Sequence, residues 1–201
     1  IWHNREMAIN TAAEILAATQ KLLLERGESK TTLRAVTELA NANVAAVNYH
    51  FGSRDALIKQ AYLAALQEVT GSQGARLQAL DDKAGLEDFV NVWLSPLLSP
   101  KTVSRREKDL WALLQRGSIE NSPQLAQLIP SVEEMQKSPL IALLKKRLPH
   151  LSNAELVFRH DAIMSGLGGL IRATGNLQTS KQSAADLKDF VSRWVLASLR
   201  G

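Results

Sequence analysis

Between its Gly, Pro and Ser punctuation, the chain repeats its apolar residues at intervals of three and four and hardly ever at two. Side chains so spaced line up on one face of a helix, whereas a strand would throw them alternately to opposite sides. Leu and Ala far outnumber Val and Ile, and that favours the same backbone through intrinsic propensity. An all-α chain is expected. With 201 residues, of which 45% are apolar, it can bury a substantial core without covalent staples. It has no Cys, which excludes a disulfide framework, a thiolate nucleophile and a Cys-based zinc site, and which fits a reducing cytoplasm.

Punctuation and capping residues divide the chain further. A first helix is expected over about 10–26, stopped by Gly27, and a second, short one begins at a Thr31 or Thr32 cap and runs to Leu39. Asn43 can cap a third over Val44 to His50, and Ser53 a long fourth reaching about Leu80. Further helices are expected near 86–98, 104–117, 123–147, 153–175 and 183–199, with Pro130 and Pro139 as possible breaks in the third of these. Three short helices followed by longer ones suggest two domains, 1–52 and 53–201, with 53–80 as a connecting helix. The longest uncharged run, Leu39 to Ser53, is shorter than the ~20 apolar residues a membrane span needs, so no membrane partner is expected. The first residues lack the basic-then-apolar order of a secretion signal.

The segment with most chemical content is 31–54. The tetrad Ala40-Asn41-Ala42-Asn43 has the length of a helix-turn-helix joint, and Asn41 can take the left-handed conformation that such a joint needs. In the third helix Val47 and Phe51 are four apart and should pack inward on Leu16, Val36 and Leu39, leaving Val44, Ala45, Asn48 and Tyr49 outward. That front is small and uncharged. It suits entry into a DNA major groove about 12 Å wide, where Asn pairs with adenine and apolar groups meet thymine methyls. Thr31 and Thr32 stand at the entry to the segment, and Tyr49, His50 and Arg54 sit where hydroxyl, imidazole and guanidinium groups could reach phosphates. Charge is weak support: 24 Lys and Arg against 20 Asp and Glu give +4 overall, and within 1–67 cations barely outnumber anions.

Thr31-Thr32-Leu33, the Ala40 turn, Ala45-Ala46-Val47-Asn48-Tyr49-His50-Phe51 and Gly52-Ser53-Arg54-Asp55-Ala56-Leu57 resemble the TetR family of transcriptional regulators over about residues 11–60. Thr37, Asn41 and Ala42 depart from the usual Ala, Gly and Val. The resemblance implies a helix-turn-helix domain followed by a larger helical ligand-binding and dimerisation domain. It also implies a homodimer on a palindromic double-stranded operator, with reading helices about 34–36 Å apart, and release by a small effector. The Ala-Ala-Val-Asn-Tyr-His-Phe version looks like a subgroup that includes fatty-acid-responsive members, which points to an apolar or amphipathic, fatty-acid-like ligand.

Family architecture assigns dimerisation to the last two helices. One apolar stripe there is Ile163, Met164, Leu167, Leu170 and Ile171, beside Ser165 and Gly166, Gly168 and Gly169; another is Leu187, Phe190, Val191, Trp194 and Leu199. Ile163, Leu167, Leu170, Ile171, Phe190 and Trp194 are the expected interface residues. Phe89, Trp93, Trp111, Met135, Phe158 and Met164 are the expected pocket residues. Neither cofactor nor metal is expected, since His3, His150 and His160 lack ligand-spaced carboxylates, and the Gly166 stretch lacks the strand and Lys of a phosphate loop. Two other readings compete: a helical protein-interaction adaptor, and a hydrolase using His160 and Asp161 or His50. The latter has neither a nucleophile elbow nor a carboxylate pair.

Overall fold

The computed structural model describes residues 2–81, 83–98, 103–174 and 181–200, with backbone alone for 2–10, 97–98, 133, 136, 171–174, 181–185 and 187. There is no strand among them. The helices are α1 (Trp2–Arg26), α2 (Leu33–Leu39), α3 (Val44–Phe51), α4 (Arg54–Gln78), α5 (Leu86–Trp93), α6 (Ser95–Leu98), α7 (Arg105–Ile119), α8 (Pro123–Ala126), α9 (Ile129–Arg147), α10 (Asn153–Thr174) and α11 (Lys181–Arg200). A 3-10 turn, Glu28–Lys30, joins α1 to α2. No helix among the described residues is long and apolar enough to cross a membrane.

Most expected ends hold, but α1 starts at Trp2, not near residue 10, and the 123–147 segment divides at Gln127–Leu128 into α8 and α9, away from the prolines expected to break it. The 86–98 segment divides into α5 and α6, because Pro96 has no N–H with which to continue the α5 ladder. Pro130 does not break a helix but sits one residue into α9, where a missing N–H costs nothing. Pro139 lies inside α9, which continues past it. Ile141 and Leu144 beyond it are buried, and that packing offsets the lost backbone bond.

The chain packs as two compact units. One comprises the chain through Val69 together with Asp109–Val132 and holds two buried clusters. In the first cluster, Ile15 and Leu22 of α1 meet Val36, Ala40, Val47 and Leu57. In the second, Leu23 of α1 meets Ile58, Ala61 and Tyr62 of α4 and Leu110 and Leu113 of α7. The packing division therefore differs from the 52/53 boundary expected from sequence: α4 as far as Val69 shares its buried side chains with α1 and α7. Residue spacing could not foresee that partnership.

The other unit, Thr70–Lys108 and the chain from Glu133, is built on Phe89, Trp93, Leu144, Leu156, Ile163, Val191 and Val195. Each fully buried large side chain there contributes roughly 1.5–3 kcal/mol. Within it Arg76 and buried Glu107 form a bidentate pair, 2.7 Å at both contacts. Gly166 makes room for Trp194 of the same chain, since a Cβ there would stand 2.5 Å from the indole Cη2. The close approach that this glycine permits is thus a side chain of the protomer's own last helix.

Candidate nucleic-acid interface

The α2–α3 corner is assembled from local bonds. Thr32, not Thr31, caps α2, accepting the Ala35 N–H at 3.2 Å. α2 ends at Ala40, and Asn41 follows with φ +48°. The Ala42 N–H reaches back to the Thr37 carbonyl at 3.0 Å, the six-to-one bond of a Schellman closure. Asn43 then caps α3, its Oδ1 accepting the Ala46 N–H at 2.7 Å. α3 stops at Gly52, φ +80°, and Ser53 caps α4 by accepting the Ala56 N–H at 3.1 Å. Four consecutive cap and turn positions read from sequence thus behave as their chemistry requires.

These bonds decide which face of α3 is free. Val47 is fully buried against Ile15, Leu22 and Val36, and Phe51 packs on the same cluster. Val44, Ala45, Asn48 and Tyr49 point away from it, with Tyr49 82% exposed. His50 is half-buried and meets the Tyr49 and Phe51 rings edge-on, with centroids 5.0 and 6.2 Å away. Leu39 departs from expectation: it is 44% exposed and outside the cluster, and Ala40 takes the inward place.

Two expected contact residues serve the fold instead. Thr31 is 1% exposed and its hydroxyl donates to the Gly27 carbonyl at 2.8 Å, so its side chain cannot meet a duplex. Arg54 spends its guanidinium fork internally: Nε donates to the Thr31 carbonyl at 2.8 Å, Nη2 to the Glu28 carbonyl, and Nη1 to Asp55 at 3.2 Å. It ties the start of α4 to the 3-10 turn. Sequence reading passed over Lys30 and Arg34, both exposed within a turn of the Thr32 cap. Arg34 pairs with Glu38 at 2.8 Å on open surface, where water competes and the contact is easily exchanged. Their proximity to the cap was the available signal.

The expected pocket residues do not converge. Phe89 and Trp93 are core of one unit, with Arg147 5.1 Å above the Phe89 ring and His160 stacked on Trp93 at 5.8 Å. Met164 packs on the same core, whereas Trp111 belongs to the other unit, its indole N–H buried and without a hydrogen-bond partner. Met135 and Phe158 are exposed. An open groove of about 610 Å³ beside α9 and α10 is lined by Glu134, Lys137, Ser138, Ile141, Ala142, Lys145, Asn153 and Val157, and shares no residue with that set.

The interface set divides similarly. Ile163 and Leu167 are buried in their own unit and present no free surface, whereas Leu170 and Trp194 are partly buried against that core. Phe190 is exposed; the side chains of Ile171 and Leu187 lie outside the described residues. On α10 the exposed positions include Phe158, 74% exposed, Ala162 and Ser165, with Asp161 and Gly166 beside them. A helix buries its most apolar stripe in its own core first, and Ile163 and Leu167 belong to that stripe.

A capped, outward-facing second helix beyond a left-handed turn is a helix-turn-helix corner, the arrangement with which DNA-binding proteins place a reading helix in the major groove. Residues 15–61 match the family model described as bacterial regulatory proteins, tetR family. That region belongs to the family, and the chain is a TetR-like transcriptional regulator. Solved structures share the fold along nearly its whole length. GusR of Salmonella enterica has a TM-score of 0.66 at 14% identity, covering 95% of this chain and 96% of its own. PfmR, a TetR family transcriptional regulator from Thermus thermophilus, has 0.57 at 19%, covering 93% and 97%. A Saccharomonospora viridis protein in complex with choline has 0.63 at 16%, covering 94% and 95%. No curated protein sequence matches.

Proposed function

We propose that the chain is a homodimeric repressor that reads a palindromic operator through α3 and is released by a small effector. The observation that carries this reading is the outward front of α3, where Val44 and Ala45 allow close approach and Asn48 offers an amide to a base edge. Tyr49 at the far end of that face, with Thr32, Lys30 and Arg34 at the start of α2, supplies hydroxyl and cationic groups for the flanking phosphates. The protomers pair through the outward faces of α10 and α11, with Phe158 and Phe190 as apolar anchors and Ala162 and Ser165 permitting close contact. The protein works in the cytoplasm, where its DNA is.

The effector is a small apolar or amphipathic molecule of the fatty-acid-like kind. That a protein of the same fold carries choline supports a small-molecule effector in general. Release is a coupling free energy: a ligand that prefers dimers with misplaced heads by a few kcal/mol suffices.

A duplex selected from genomic fragments by the purified protein tests the reading, with a random duplex of equal length beside it. Asn48→Ala should cut operator preference about tenfold, within the ~1–3 kcal/mol typical of a base contact, and Lys30→Ala should weaken both duplexes alike. Unchanged preference in Asn48→Ala, or binding that does not weaken with salt, would contradict the reading; the latter favours a protein-binding adaptor.

A further inference from the structure

The corner between α1 and the 3-10 turn is gripped from α7 by an ion pair that touches no outward face of α3. α7 closes with Asn121 at φ +54°, the Ser122 N–H reaching the Gly117 carbonyl at 2.9 Å and the Asn121 N–H the Ser118 carbonyl at 3.2 Å. This closure fixes Glu120 at the end of the helix, aimed at the corner. Glu120 accepts the Arg116 guanidinium at 2.8 Å on one oxygen and the Glu28 N–H at 3.0 Å on the other. Arg116 in turn donates to the Leu24 carbonyl at 2.9 Å. The cation therefore sits on the Leu24 carbonyl in the last turn of α1, at the negative end of that helix's dipole, and the anion takes the Glu28 amide that opens the 3-10 turn. Arg116 first, and the Glu28 amide with it, hold the Glu120 carboxyl below the usual carboxylate range.

The corner is shaped for this pair. Gly27 has φ +80°, and a Cβ on it would stand 2.3 Å from a Glu120 carboxylate oxygen. On the opposite side of the turn the Glu28 and Thr31 carbonyls are held by Arg54. Thr32 and α2 begin immediately after it.

We propose that Arg116 and Glu120 are positioning residues for operator binding: by clamping the α1–turn corner from which α2 and α3 hang, they set the reading head's orientation without touching DNA. The proposal rests on α3 being the reading helix, as argued above. The pair acts as one device, so removing either half releases the corner.

The test measures affinity for the selected operator and for a random duplex by anisotropy, with the full chain, below each variant's melting temperature and with active fractions titrated. Glu120→Ala and Arg116→Ala are each expected to weaken operator binding about tenfold, and the double variant no more than either alone. Random-duplex affinity and the salt slope should stay within error, since no phosphate contact is removed. Glu120→Gln, which keeps an acceptor for the Glu28 N–H but loses the ion pair, should weaken operator binding about threefold, and it decides the matter where the Ala variant does not fold. Lower melting temperatures with operator affinity within twofold of the parent would overturn the proposal and leave the pair a purely structural one. Asn48→Ala in the same assay separates the two readings. If it keeps operator preference, the reading helix itself is misassigned; if it loses preference while the Glu120 variants do not, only the clamp fails.

Discussion

Replacing Arg54 by Lys and by Ala separates the role the sequence suggests for this residue, a phosphate contact, from the one the structure shows, a strut. Its fork holds two backbone carbonyls 23 and 26 residues away, Thr31 and Glu28. Hydrogen bonds from a charged donor contribute about 1.5–3 kcal/mol each when well shielded, but this side chain is 33% exposed, so water recovers part of that. A lysine ammonium lacks the planar fork and can serve one carbonyl well. The expected cost of Arg54→Lys is therefore about 1–2 kcal/mol, a fall in melting temperature of about 2–8 °C for a chain of this size, with Arg54→Ala costing about 2–3 kcal/mol. Urea denaturation at constant m-value measures this. In parallel, the slope of log affinity against log salt for Arg54→Ala should match the parent, whereas losing a phosphate contact lowers it by about 0.9. An unchanged urea midpoint for Arg54→Lys, together with a slope reduced by about one in Arg54→Ala, would refute the strut.

Two further perturbations probe the same unit. Burial raises the Tyr62 hydroxyl from 10.0 to about 12. The folded state therefore retains a proton that the unfolded chain releases, so stability is level below pH 10 and falls as pH rises from 10 to 12. The urea midpoint of the parent should drop over that window relative to Tyr62→Phe, and parallel curves would count against it. At the α2–α3 turn, Asn41→Gly should stabilise by about 0.5 kcal/mol by relieving a left-handed Asn, and Asn41→Ala should cost about 1 kcal/mol; equal midpoints for the two would mean that the left-handed turn is absent in solution.

The helices, their caps and the left-handed joint were legible in the sequence because the interactions that make them span three to six residues. Thr32, Asn43 and Ser53 each accept an N–H three residues ahead, and Asn41 supplies its own conformation. The inward place of Val47 followed for the same reason, since a helical face is a matter of spacing. Tertiary structure alone decided what each face meets. Ile163 and Phe158 are apolar residues on one helix, and no periodicity tells which of them the protomer buries. Arg54 looked like a ligand for a duplex, but its guanidinium goes to the Thr31 and Glu28 carbonyls, 23 and 26 residues away, and Thr31 is closed off by burial. Glu28 and Glu120 are 92 residues apart, and their contact exists only once α1 and α7 have packed around Leu23, Tyr62 and Leu113.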